Sequence, residues 1–199
     1  MEESEPRPEL SRAIWGILVG AFAFTYWQPG QFYSMNVWGS EWYRRIVQNT
    51  PILNVFPSWA FAAAWFLVFA TTSTAWFFFW KNSEHLGKDY DTIMALIITT
   101  IVMTKLWTPI VSMVPWPGIF FVASALTSGP AVAAWVLMFI NMGSTTSDWL
   151  VYFMWGPIVA WTAFATVFLG IPIWVKNAGV DFGDTDWGAL SMYKSEKNE

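Results

Sequence analysis

The sequence predicts an all-α membrane protein, a bundle of five transmembrane helices with a long first loop that contains a short interfacial helix. Of its 199 residues, 55% are hydrophobic and only 12% are charged. This polar content is too low for a soluble domain of this length. Three long stretches carry no charge at all, between Arg12 and Glu41, Arg45 and Lys81, and Asp148 and Lys176. Only helices and closed barrels satisfy every backbone group in lipid, and these runs are too long for barrel strands.

Each predicted span is an apolar run long enough to cross a bilayer, which takes roughly 20 residues. The spans cover residues 12–29, 57–80, 91–113, 118–142 and 148–175. Turn signals such as Gln28-Pro29-Gly30 mark their ends, and Gly129-Pro130, Pro157 and Pro172 predict kinks within them. The predicted division of the chain is an acidic tail (1–11), a membrane domain (12–176) and a second acidic tail (177–199).

The long loop after the first span contains a candidate helix at residues 40–47. One interpretation is an interfacial anchor, with Trp42 and Tyr43 among the headgroups and Arg44 and Arg45 in water. The other is a lid over a cavity, with these four residues and Trp59 at its rim. The sequence leaves both open.

The residues needed for several kinds of chemistry are missing. The chain has no cysteine and one histidine, His85, in a predicted loop, and no carboxylate lies inside a span. We therefore expect no catalytic residues, no metal site and no enzymatic activity. No basic patch is present, which argues against nucleic-acid binding.

Tryptophan is the most informative residue type, with 16 copies. Tryptophans usually collect at the membrane surfaces, yet Trp65, Trp107 and Trp161 fall inside spans. Helical spacing extends them into stripes that include Phe69, Thr104, Ala165 and Phe168. Simple packing is one explanation. The other is a cavity for a flat apolar guest, because tight helix interfaces in lipid favour small residues and not tryptophan. The stripe of small residues Ala125, Gly129 and Ala133 in the fourth span instead predicts close packing or a dimer contact.

Several motifs resemble the translocator protein family, also called the tryptophan-rich sensory proteins (TspO/MBR). They are Glu41-Trp42-Tyr43 followed by Pro51, Asn54, Pro57 and Trp59-x-Phe61-x-x-Ala64-Trp65; Leu106-Trp107-Thr108-Pro109; and Pro157-x-x-x-Trp161-x-x-x-Ala165-Thr166. The resemblance covers about residues 12 to 176.

The resemblance implies a pocket under the first loop, between helices 1, 2, 3 and 5, that binds porphyrins, related tetrapyrroles and drug-like lipophiles. Its lining would comprise Trp65, Phe69, Trp107, Thr108, Trp161 and Ala165. The helix 5 motif ends in Leu169 in place of an asparagine. Two further positions depart from the family pattern, with Thr104 in place of an asparagine and Phe69 in place of a tyrosine. Both replacements remove hydrogen-bonding reach, so a drier pocket is expected.

Lys105 is the one charged residue inside a predicted span. It either extends its ammonium to the membrane surface or faces the cavity mouth. In the second case, Lys105, Arg44 and Arg45 are placed to pair with the carboxylates of a porphyrin.

The sequence therefore predicts a multi-pass membrane protein that binds a porphyrin-like ligand, without a covalent cofactor, for transport, sequestration or sensing. Membrane lipids and a second copy of the chain are the expected partners. The alternative is a structural subunit of a larger membrane complex. The expected location is the outer mitochondrial or another organelle membrane in a eukaryote, or the cell envelope in a bacterium.

Overall fold

The protein is all-α throughout the residues that the computed structural model describes, which are 41–55, 58–82, 86, 88–114, 116–141 and 146–180. Its helices are α1 (Glu41–Asn49), α2 (Ser58–Asn82), α3 (Lys88–Met113), α4 (Ile119–Asn141), α5 (Thr146–Phe164) and α6 (Ile171–Asn177). Pro51–Asn54 form a 3-10 turn, and the π-helical segment Ala165–Gly170 joins α5 to α6. The predicted first span (12–29) and the N-terminal tail (1–11) lie outside the described residues, as does most of the C-terminal tail.

Four of the five predicted spans fall on described residues, and all four are helices. Their lengths and compositions suit a membrane crossing at Ala63–Lys81, Asp89–Trp107, Ile119–Asn141 and Asp148–Asn177. The short helix predicted within the first loop is α1. The chain is thus a multi-span helical membrane protein, and the proposed tail and domain boundaries stay predictions.

The four long helices lie side by side in the order α2, α5, α4, α3. Helix α4 packs against both α3 and α5 and also against the π segment and α6. Helices α2 and α3 contact each other through their side chains. Near their connecting loop, the rings of Phe79 and Tyr90 stack with centroids 5.3 Å apart.

Tryptophan N–H groups tie α4 to its neighbours. Trp107 of α3 donates to Ser124 Oγ of α4 at 3.0 Å, and the fully buried Trp155 of α5 donates to the carbonyl of Ala131 at 3.0 Å. In the opposite direction, Trp135 of α4 donates to a backbone carbonyl of α5 at 3.3 Å. Lipid offers an indole N–H no acceptor, so a neighbouring helix that provides one is stabilised. Several tryptophans inside the spans therefore have a structural role.

A second set of tryptophans marks the two membrane surfaces. Trp59 and Trp80, near the two ends of α2, are 70% and 58% exposed. They are 21 positions apart, which corresponds to about 31 Å of helix and matches the hydrocarbon thickness of a bilayer, about 30 Å. Trp149 and Trp174 are likewise exposed near the two ends of the last span. This distribution is typical of aromatic belts.

The last span changes geometry near its end. The N–H of Ile171 donates to the carbonyl of Thr166, five residues earlier, and Pro172 follows in the first turn of α6. In the same stretch, a Cβ placed on Gly170 would lie 2.7 Å from the Cα of Phe121 in α4. A glycine is required for this approach. Pro130 and Pro157, in contrast, lie inside the continuous helices α4 and α5.

Candidate functional site: a central aromatic cluster

Two of the three tryptophans singled out from the sequence meet between α2 and α5. The rings of Trp65 and Trp161 form an edge-to-face contact with centroids 5.7 Å apart. Trp65 also stacks on Phe69, at 5.1 Å, and Trp161 stacks on Phe164, also at 5.7 Å. We call these four residues the central aromatic cluster.

The cluster lies inside the apolar layer rather than at its surface. Trp65 and Phe69 follow the surface residue Trp59 by 6 and 10 residues, which places them about 9 and 15 Å along the helix from it. Phe69 is buried, whereas Trp65 and Trp161 are half-buried. The cluster therefore offers ring faces and edges at a depth that only a lipophilic molecule reaches.

The aromatic surface continues from Phe164 into the π segment. Phe168 stacks on Phe164 with centroids 5.5 Å apart, but its own ring is 53% exposed. Ala165, the predicted small residue opposite the tryptophans, begins the π segment and is half-buried. Single turns of π-helix occur often at functional sites.

Lys105 points toward the cluster. Its Nζ lies 5.4 Å from the centroid of the Phe69 ring, a distance at which an ammonium is attracted to the ring face. Because Phe69 lies well inside the apolar layer, this geometry favours the second of the two predicted orientations of Lys105, toward the interior of the bundle. A positive charge at this depth has a high desolvation cost and marks a functional region by default.

Trp107 lies apart from the central aromatic cluster. Its ring contacts Phe120 edge to face at 5.8 Å, and its N–H donates a hydrogen bond to Ser124 Oγ. The structure thus brings Trp65 and Trp161 together and directs Trp107 toward α4. Thr104 is buried, and its hydroxyl donates to the carbonyl of Thr100 at 2.7 Å. The side chain of Thr108 lies outside the described residues, so its predicted contact with a ligand stays a prediction.

Helix α1 covers the end of the bundle near Trp107. Its Ile46 is fully buried in an apolar group with Val111, Ile119, Phe120, Ala123 and Ile173. Arg44 and Arg45 are exposed. The side chains of Trp42 and Tyr43 are outside the described set. Helix α1 therefore packs on the end of the bundle near Trp107, and its role as a lid over a cavity stays a prediction.

A polar clasp, formed by Asn49, Thr50 and Asn177, holds α1 to α6. Asn49 donates to Asn177 Oδ1 at 3.1 Å. Asn177 Nδ2 in turn donates to Thr50 Oγ1 at 3.2 Å and to the carbonyl of Ile173 at 2.8 Å. Asn177 and Thr50 are each 1% exposed. The loop helix and the last span are therefore connected by one buried and one partly buried hydrogen bond.

Sequence reasoning missed this clasp and also missed the buried hydroxyl group of Ser73 near the cluster. Asn177 lies two residues after the last predicted span (148–175), in the predicted polar tail. A polar residue four positions after the apolar Ile173 was the available signal, because this spacing places both on one face of a helix. Among the described residues, no group of three His, Cys, Asp or Glu side chains could hold a metal ion.

The small-residue stripe of α4 does not form a tight contact at its centre. A Cβ on Gly129 would meet no atom within 4 Å, and the position is exposed. The predicted close packing within the chain is therefore not found at Gly129, and the predicted dimer contact stays a prediction.

Comparisons of the chain with family models, with curated proteins and with solved structures found no match.

Proposed function

We propose that this membrane protein binds a flat lipophilic ring compound of the porphyrin type against the central aromatic cluster, for transport, sequestration or sensing. The edge-to-face contact of Trp65 with Trp161 carries the proposal. It holds two large rings with their planes inclined by 72° inside the apolar layer, where a flat guest can stack on one and contact the edge of the other. The resemblance of the motifs to the TspO/MBR family supports the same ligand class.

The energetics favour shape recognition over hydrophobic burial. A lipophilic guest is already dissolved in an apolar medium, so it gains little by moving between helices. Affinity then comes from ring contacts, at about 0.5 to 1.5 kcal/mol for each aromatic pair. Lys105 adds an ionic contact for a guest with carboxylate groups, since charge-assisted hydrogen bonds are about twice as strong as neutral ones.

Protoporphyrin IX is the probe for the test. The full chain in nanodiscs is titrated while its tryptophan fluorescence is followed, and empty nanodiscs correct for partitioning into lipid. Trp65→Ala and Trp161→Ala each weaken binding about tenfold, the equivalent of one ring contact. Trp149→Ala is the control because Trp149 lies at the membrane surface. Equal affinities in all four proteins would exclude the cluster as the binding site.

A second measurement tests the ionic contact alone. Lys105→Gln removes the charge, so it weakens binding of protoporphyrin IX about tenfold and leaves binding of its dimethyl ester unchanged. A parallel loss for both compounds would show that Lys105 acts by packing and not by pairing with a carboxylate.

A further inference from the structure

Two buried hydroxyl groups lie one helical turn beyond Phe69 along α2. Thr72 and Ser73 of α2 are 0% and 2% exposed. Neither Thr72 Oγ1 nor Ser73 Oγ has a hydrogen-bond partner among the described residues. A hydroxyl buried without a partner carries an uncompensated desolvation cost, and in a membrane no water offsets that cost.

The default for such a group is a bond to its own helix. A serine or threonine hydroxyl inside a helix can donate to the carbonyl three or four residues earlier. Eight other threonines of the described spans do so, and the flanking Thr71 and Thr74 are among them. The remaining six are Thr99, Thr100, Thr104, Thr127, Thr162 and Thr166. Thr72 and Ser73 stand out because they lack a bond that the helix itself provides.

Helical spacing places both hydroxyls beside the central aromatic cluster. Thr72 and Ser73 follow Phe69 by three and four residues, and residues at these spacings share one face of a helix. That face stacks Phe69 on Trp65 and meets Lys105 of α3. The two hydroxyls therefore extend the cluster along α2, just past the centre of the apolar layer that Trp59 and Trp80 mark.

We propose that Thr72 and Ser73 form the polar end of this site and donate hydrogen bonds to a carbonyl oxygen on the edge of the bound ring compound. A carbonyl oxygen has two lone pairs and can accept a hydrogen bond from one or both hydroxyls. It also carries no N–H or O–H that would have to be desolvated in lipid. The inference rests on the proposed function and specifies its ligand class as a planar lipophile with a carbonyl edge, of which a quinone is the simplest case.

The test uses two probes that differ in their carbonyl groups, radiolabelled anthracene and 9,10-anthraquinone. Saturable binding is measured with the full chain in nanodiscs, after subtraction of binding to empty nanodiscs. The wild-type protein binds the quinone about tenfold more tightly, as two neutral hydrogen bonds allow. In the double variant Thr72→Val/Ser73→Ala this preference disappears and the affinity for anthracene is unchanged.

Thr100→Val is the control because Thr100 is equally buried but its hydroxyl donates to its own helix. It keeps the tenfold preference. If both probes bind and their ratio is the same in the wild type and the double variant, the inference is overturned while the proposed function stands. If neither probe binds saturably while protoporphyrin IX does, the inference is overturned and the proposed function stands. If protoporphyrin IX also fails to bind, both fail.

Discussion

Trp65 and Trp161 contact each other edge to face, with their ring planes inclined by 72°. The contact joins α2 to α5 through two of the largest side chains. Helix interfaces in lipid are usually closest where residues are small, so a pair of indole rings between α2 and α5 is an unusual choice for packing alone.

The coupling between the two rings is measurable in the empty protein. We expect a double-mutant cycle of Trp65→Leu and Trp161→Leu to give a coupling free energy of about 0.5 to 1.5 kcal/mol, the range for an edge-to-face aromatic pair. Unfolding by dodecyl sulfate in mixed micelles provides the free energies. Strictly additive losses would show that the rings do not interact in the membrane-like environment.

The spans were predictable because lipid leaves the chain few choices. Charge-free runs of sufficient length must be helical, and the observed bounds of α2, Ser58–Asn82, are within a few residues of the predicted 57–80. The α5 to α6 span behaves in the same way. What the sequence could not indicate is the π segment, because hydrogen bonding to the fifth residue leaves no periodic signal in an evenly apolar run.

The candidate site was predictable only in part, because spacing along one helix does not fix the rotation of another. Trp65 and Trp161 were correctly expected to be neighbours. Trp107 was expected beside them, but α3 is oriented so that the Trp107 indole faces α4 and donates a hydrogen bond to Ser124. The position of a tryptophan deep in a span is also not enough to indicate a ligand. Trp155 is fully buried, and its N–H is satisfied by a hydrogen bond to a backbone carbonyl of α4.

Gly170→Ala tests the close approach of the π segment to α4. The added Cβ meets the Phe121 backbone at 2.7 Å, so the helices must separate, and we expect a loss of about 1 to 3 kcal/mol in the free energy of unfolding. Gly156→Ala is the matched control, because its Cβ meets nothing within 4 Å, and alanine has the higher helix propensity. Equal effects of the two substitutions would contradict the observed approach.

Asn177→Leu tests the polar clasp between α1 and α6. The substitution leaves the buried Thr50 hydroxyl without its donor, so α1 detaches more often. We expect trypsin to cleave after Arg44 and Arg45, both exposed in α1, about 10 to 100 times faster, as the loss of about 1.5 to 3 kcal/mol implies.

The control for the clasp is Lys176→Gln, which changes an exposed neighbour of Asn177 and should leave the rate of cleavage in α1 unaltered. An unchanged rate in Asn177→Leu would mean that Ile46 and its apolar contacts hold α1 without help from the clasp.

Thr72→Val and Thr100→Val form a matched pair for stability, since both threonines are 0% exposed and lie in helices. Only the Thr100 hydroxyl has a partner, the carbonyl of Leu96 at 2.8 Å. We expect Thr72→Val to raise the free energy of unfolding by about 1 kcal/mol, because a buried unpaired hydroxyl is replaced by a methyl group of similar size. Thr100→Val should give no such gain. Thermal unfolding of the empty protein in one detergent measures both variants.

A higher Tm for Thr72→Val would mean that the natural residue lowers the stability of the empty protein. Such a cost is typical of groups retained for binding and not for folding. Thr72→Val alone would then be more stable than the natural protein. The double variant Thr72→Val/Ser73→Ala would be less selective for a carbonyl-bearing ring. A lower Tm for Thr72→Val would instead show that the Thr72 hydroxyl makes a stabilising contact in the empty protein. The hydroxyl would then carry no uncompensated desolvation cost, and the argument for the polar end of the site would fail.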